Sequence, residues 1–226
     1  MARTARAVLL IEQAGSLLRG EGPYAAGRGV VPWRQLLLLV VAGGFVYGAA
    51  MGAYGARGWQ AIYSASKVPL LLGCSTLVCL PNFYVVNVLL GLRDDFSAAC
   101  RGVFAAQATL AVVLSSLAPV TLFFYASSGD YEQAKVWNGV MFFVGTVSGQ
   151  VTLSHHYRAL IASNPAHRIG RFAWVVLYVF VAIQLAWVLR PFLGAPDLPT
   201  AFFRQDAWSN AYVEVLDAIA KLFRGR

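Results

Sequence analysis

The sequence carries little charge for its length. Of its 226 residues, 58% are hydrophobic and only 12% are charged, whereas about 25% charged residues are usual in a soluble domain. Five stretches contain no Asp, Glu, Lys, Arg or His at all, namely residues 35–56, 68–92, 102–129, 136–154 and 172–189. Because about 20 helical residues cross the hydrocarbon core of a bilayer, each stretch is a candidate transmembrane helix.

These stretches also lack the regular return of polar residues that other folds need. Helices and strands of soluble proteins bring back a polar residue every few positions, and the strands of outer-membrane barrels alternate in polarity over about ten residues. In lipid, such a stretch satisfies the hydrogen bonds of its own backbone by forming a helix. We therefore predict an all-α, polytopic bundle of about five transmembrane helices in the cell inner membrane.

Amphipathic segments flank the predicted membrane domain, which covers residues 35–190. Residues 1–34 are predicted to form an N-terminal amphipathic helix followed by a linker that contains Gly and Pro. Residues 191–226 form a tail in which apolar residues recur every three or four positions from Trp208 to Leu222. Because such helices lie in the plane of the membrane interface, membrane lipids are predicted partners.

Glycine recurs every fourth residue in the first span, at Gly44, Gly48 and Gly52. Small residues on one helix face allow a second helix to approach closely. Two partners fit this helix-packing face. One is a neighbouring helix of the same chain, and the other is a second protein in a homo-oligomer or a larger membrane complex.

Prolines and amides are predicted to shape the interior of the bundle. Pro81 in the second span and Pro119 in the third each remove a helical hydrogen bond and so predict a kink. Four amide side chains are expected either to pair in the bundle interior or to line a cavity: Asn82, Asn87, Asn138 and Gln150.

The basic residues favour one orientation. Ten of them flank the spans on the side of the N-terminus, whereas the opposite loops hold three, Arg57, Lys67 and Lys135, and the C-terminal tail holds five. Because basic residues accumulate on the cytoplasmic side, the N-terminus is predicted to be cytoplasmic. Attraction to anionic lipid headgroups then explains the net charge of +8 without nucleic acid.

No catalytic, cofactor or metal site is predicted. Transporters usually hold ionisable groups at membrane depth, but the five spans contain none once Lys67 is assigned to a loop. The three cysteines have no metal-binding spacing, and His155, His156 and His167 are predicted to be solvated at the interface. The charged residues predicted to be interfacial at the ends of spans are Arg93, Asp94, Asp95 and Arg190.

Three segments carry a family resemblance: KVPLLLGCSTLVCLPNFYVVNVLLGLRDDF, LAPVTLFF and WVLRPFLGAPDLPTAFFR, which lie between residues 67 and 204. They resemble a family of uncharacterised bacterial integral membrane proteins that is distantly similar to the five-helix Yip-type proteins, which bind Rab GTPases in eukaryotes. The resemblance implies a five-helix bundle with a cytoplasmic N-terminus. It implies no catalytic residues, and the acidic entry motif of the eukaryotic proteins is absent from this sequence.

Three functions remain open from the sequence. The first is a membrane scaffold, assembly factor or accessory subunit without catalytic activity. The second is a small-molecule or lipid permease with a cavity lined by the proline-containing second and third spans and the polar fourth span. The third is a lipid-modifying enzyme that uses Arg93, Asp94 and Asp95 together with a histidine such as His155.

Overall fold

The described part of the chain is built from α-helices. A computed structural model describes residues 2–21, 24, 33–194, 199–204 and 212–213. The helices are α1 (Ala2–Arg19), α2 (Trp33–Gly52), α3 (Gly58–Leu89), α4 (Phe96–Ser127), α5 (Tyr131–Ser163) and α6 (His167–Val188), with a short 3₁₀ turn, Tyr54–Ala56, between α2 and α3. No strand occurs in these ranges, which confirms the predicted all-α fold for them.

Within the described ranges, four helices are long and apolar enough to cross a membrane: α2, α3, α4 and α6. Helix α5 is longer still at 33 residues, but it is the least hydrophobic of the five because amide, hydroxyl and charged side chains recur along it. Length and composition therefore make this a helical protein suited to a membrane, with four clear candidate spans.

Helix α2 lies at the centre of the bundle. It packs against α3 on one side and α4 on the other, while α5 packs on α4 and α6 packs on α3. Helix α1 lies against α2 and α4 and buries Leu17 in the same apolar core. Helix α6 also contacts α5, less extensively than it contacts α3, and little of its most apolar stretch is buried.

The bundle has two chemically different ends, because consecutive helices from α2 to α6 run in opposite directions. We call the end formed by residues 89–96 and 163–167 the basic end. The arginines at or near it are Arg93, Arg101, Arg158, Arg168 and Arg171. The other end holds the segment that follows α6, residues 190–194, which we call the strap, and this end is the strap end.

The glycines of α2 lie against α3 of the same chain. A Cβ atom on Gly48 would overlap the carbonyl oxygen of Ser64, and one on Gly52 would lie 2.6 Å from the carbonyl oxygen of Gln60. A Cβ atom on Gly44 would lie 3.1 Å from the backbone nitrogen of Pro69. The intrachain alternative therefore accounts for this face, which brings the two backbones together.

Other predicted features are placed only in part. Pro81 and Pro119 lie inside continuous helices, and neither ends its helix. Helix α1 occupies the predicted N-terminal amphipathic segment. The predicted C-terminal amphipathic helix falls outside the described residues apart from Tyr212 and Val213, and most of the predicted linker before α2 also falls outside them.

Candidate functional site: polar groups inside and on the helical bundle

One charged side chain is fully enclosed in the bundle. Lys67 lies nine residues after Gly58, the first residue of α3, and has no exposed surface. Its ammonium group donates a hydrogen bond of 2.6 Å to the carbonyl oxygen of Pro191 and lies 4.9 Å from the ring centroid of Phe202 and 5.9 Å from that of Phe192. The assignment of Lys67 to a loop is wrong, because α3 begins well before the charge-free stretch does.

Two more donors on the same face of α3 bind the strap. The Gln60 amide donates to the carbonyl oxygens of Pro191 and Phe192, each at 3.0 Å, and the Ser64 hydroxyl donates to that of Phe192. Residues 60, 64 and 67 share a face because they are spaced by four and three positions. Strap carbonyls have no helical partner, so these side chains supply the donors that lipid cannot. The Lys67 site is therefore a clamp on the strap.

A second polar cluster joins α2, α4 and α5 near the strap end. The side-chain oxygen of Asn138, which is only 1% exposed, accepts a hydrogen bond of 2.9 Å from the Tyr47 hydroxyl. Its amide nitrogen donates to the Tyr125 hydroxyl at 2.5 Å and to the carbonyl oxygen of Ala134 at 2.7 Å. Asn138 is thus fully paired in an interior without access to solvent, which is how buried polar groups rigidify a core.

The basic end holds a buried histidine. His167 begins α6, has no exposed surface, and places Nε2 3.1 Å from a carboxylate oxygen of Asp95. Its ring meets Tyr157 edge to face. The prediction that all three histidines are solvated is wrong for His167, because the turn between α5 and α6 folds this residue under the α3–α4 loop, whereas His155 is exposed.

A groove of about 380 Å³ runs along α5 towards the basic end. Two adjacent rows of side chains line it. One row is Thr146, Gln150, Ser154 and Arg158, and the other is Val147, Val151 and His155. We call these rows ridges. The Ser154 hydroxyl accepts a hydrogen bond of 3.1 Å from the Arg171 guanidinium, which ties α6 to the groove. The groove is thus polar on one ridge, apolar on much of the other and basic at one end.

The amides predicted from the sequence do not share one cavity. Asn82 is exposed on the outer surface of α3, Asn138 is sealed among three helices, and Gln150 lies in the open groove. Asn87 is fully buried and donates to the carbonyl oxygen of Phe83 at 2.8 Å. The structure thus separates four residues that the sequence had grouped by their chemistry.

The charged residues predicted at the span ends also lie in different surroundings. Arg93 and Asp94 are exposed in the α3–α4 loop, whereas Asp95 contacts His167 rather than His155. Arg190 begins the strap and lies over the ring of Trp187, with 3.1 Å between the guanidinium carbon and the ring centroid. Among the described residues, no group of three or more His, Cys, Asp or Glu side chains is arranged to hold a metal ion.

No protein-family model, curated protein or solved structure matches this chain. The resemblance to the Yip-type group therefore stays a prediction.

Proposed function

We propose that this chain is an integral membrane scaffold, assembly factor or accessory subunit, embedded as a five-helix bundle with a cytoplasmic N-terminus. One observation carries the proposal: two polar clusters inside the bundle are paired within the chain. Asn138 is paired with two tyrosines, and Lys67 is paired with the strap. Such groups hold helices in place and present no surface to a passing solute or a substrate.

The outer surface of α5 supports its role as the fifth span. Val136 and Phe143 are each 68% exposed, and Val140, Val147 and Val151 extend the same apolar surface. Such a surface suits lipid better than water. At 1.5 Å per residue, α5 is about 50 Å long, so its charged ends can lie outside a hydrocarbon core of about 30 Å.

The distribution of arginine supports a cytoplasmic basic end. Arg93, Arg101, Arg158, Arg168 and Arg171 lie at or near this end, and the rule that basic residues accumulate in the cytoplasm orients it inwards. With five spans, the strap and the Lys67 clamp then lie on the opposite side of the inner membrane from the N-terminus.

Helix α6 is the span that we propose docks a partner helix. Only 17% of its most apolar stretch is buried inside the chain, compared with 56% for α2. Helices in lipid are held together by close packing rather than by a hydrophobic drive. A partner helix on the outer face of α6 would pack in this way.

The other two functions have less support. For a small-molecule or lipid permease, the favourable observation is the groove on α5, which holds Gln150 but neither Asn82 nor Asn138. For a lipid-modifying enzyme, Asp94, Asp95 and His155 would have to meet, and Asp95 instead pairs with His167.

Mild detergent extraction followed by native mass spectrometry tests the accessory role. We expect a discrete complex with a fixed ratio of this chain to another membrane protein or to a second copy of itself. Val176→Trp on the outer face of α6 should reduce the amount of retained partner about tenfold, because the bulky ring blocks close helix packing. Val140→Trp on the equally exposed face of α5 is the matched control.

Recovery of the wild-type protein as a lone monomer under these conditions would contradict the accessory role. Retention of the partner by both variants alike would instead contradict docking on α6. Single cysteines introduced at residue 129, just before α5, and at residue 163, its last residue, test whether α5 is the fifth span. Labelling of both cysteines from the same side of the membrane would refute it.

A further inference from the structure

We propose that the groove on α5 is a binding site for a phospholipid whose headgroup carries a net negative charge. The proposal rests on the proposed function in one respect, since it requires that α5 spans the membrane with its basic end near the headgroups. It assigns a ligand to a site that is separate from the Lys67 clamp, from the Asn138 cluster and from the docking face of α6.

The first argument is the polarity of the groove. The ridge formed by Thr146, Gln150 and Ser154 runs from the middle of α5 towards its basic end, on a surface where the neighbouring exposed residues are Val147 and Val151. The Thr146 hydroxyl donates to the carbonyl oxygen of Phe142 at 2.8 Å and Ser154 is bound by Arg171, so Gln150 is the group of this ridge that has no hydrogen-bond partner among the described residues. An amide on a lipid-facing surface is costly without such a partner, and an ester or glycerol oxygen of a phospholipid would supply it.

The second argument is the charge at the basic end of the groove. His155 and Arg158 are exposed there, and no lining residue carries a carboxylate. Arg171 reaches the same place from α6, held by its hydrogen bond to Ser154. Guanidinium groups bind phosphate oxygens through paired hydrogen bonds, and basic pockets on the cytoplasmic side of membrane proteins select anionic headgroups.

The third argument is the size of the groove. The groove is open to the outside, is lined by residues of α5 and has a volume of about 380 Å³. It suits a headgroup with its glycerol region, while the acyl chains would lie over Val147, Val151 and the apolar surface beyond them. Thr146 and Arg158 are separated by twelve helical residues, or about 18 Å, which lets one lipid contact both ends of the ridge.

Native mass spectrometry of the protein released from nanodiscs tests this site. In nanodiscs of equal parts phosphatidylglycerol and phosphatidylcholine, we expect at least one phosphatidylglycerol to be retained about tenfold more often than phosphatidylcholine. Arg158→Gln should abolish most of this preference, and Gln150→Leu should weaken retention without changing the charge. Arg168→Gln, which removes an exposed arginine outside the groove, is the matched control and should retain the wild-type preference.

Three results would overturn the proposal: equal retention of the two lipids by the wild type, equal loss of preference in Arg158→Gln and Arg168→Gln, or displacement of the lipid by millimolar glycerol phosphate. The last result would assign the groove to a free phosphate compound instead. The two proposals can fail separately. If cysteines at residues 129 and 163 are labelled from opposite sides of the membrane but no lipid preference is found, the lipid site is refuted and the five-span proposal stands.

Discussion

Helices α2 and α6 are both apolar candidate spans, yet they are attached to the bundle in opposite ways. Helix α2 contacts α3 and α4 through backbone surfaces, and a Cβ atom on Gly52 or on Gly43 would lie 2.6 Å from a carbonyl oxygen of the facing helix. Helix α6 is attached by a few large side chains, of which Trp174 and Tyr178 are buried. Hydropathy alone does not separate a central span from a peripheral one, but the placement of glycine and of buried aromatic residues does.

The largest expected effect is at the seam between α2 and α3. Gly48→Leu should destabilise the protein by about 3 kcal/mol, because even its Cβ atom would overlap the carbonyl oxygen of Ser64 and the helices would have to separate. Gly139→Leu is the matched control, since a Cβ atom there meets nothing within 4 Å. Thermal unfolding in detergent measures both changes, and equal stability of the two variants would refute the described seam.

The Lys67 clamp should have the next largest effect. Lys67→Met keeps the length of the side chain but leaves the carbonyl oxygen of Pro191 without its lysine donor and removes the cation from two aromatic rings. We expect a loss of about 2 kcal/mol and faster hydrogen exchange in the strap. Lys135→Met is the control, because Lys135 is partly exposed in a surface pair with Glu132 and should contribute less than about 1 kcal/mol.

The sequence is sufficient to predict the class of fold, because the bilayer acts as the solvent for the helices and selects them by their composition. Uncharged stretches of about 20 residues suit a bilayer whatever they pack against, so the four clear spans follow from composition alone. The ends of spans are harder to predict, since the charge of Lys67 indicates a loop although α3 begins at Gly58. One signal was available: Gln60, Ser64 and Lys67 recur at helical spacing, and a row of donors on one face predicts a polar partner for that face.

The sites depended on tertiary contacts that no local pattern encodes. Asn82 and Asn138 are alike in type and each lies within a predicted span, yet one is exposed and the other is sealed among three helices. His155 and His167 differ in the same way, because only His167 lies under the loop that carries Asp95. The depth of each residue was predictable from its position along a span, but the direction it faces was not.

Substitutions of Asn138 and Asn82 therefore test the difference between a buried and an exposed asparagine in this bundle. Asn138→Leu should cost about 2 kcal/mol, because it removes the acceptor of the buried Tyr47 hydroxyl and a donor to the Tyr125 hydroxyl, which keeps its bond to the carbonyl oxygen of Met51. Asn82→Leu should change stability by less than about 0.5 kcal/mol, since that side chain is exposed. Chemical unfolding in mixed micelles measures the difference, and a larger loss in Asn82→Leu would contradict the placement of both residues.

The smallest expected effect concerns the attachment of α6 to α4. The Tyr178 hydroxyl donates a hydrogen bond of 2.9 Å to the side-chain oxygen of Gln107, and both groups are buried. Tyr178→Phe should cost about 1 kcal/mol because it leaves the Gln107 oxygen without that donor, and Gln107→Leu should cost a similar amount. Tyr84→Phe, at an exposed position of α3, is the control and should be neutral.

Combining the two substitutions separates the hydrogen bond from the packing of the ring. If the bond itself attaches α6, the double variant Tyr178→Phe/Gln107→Leu should lose less stability than the two single losses together, because neither polar group is then left buried without the other. Additive losses would instead mean that each side chain acts through its own packing. In that case the Trp174 and Tyr178 rings, rather than this hydrogen bond, would hold α6 against α4, and the contrast with the backbone contacts of α2 would be sharper still.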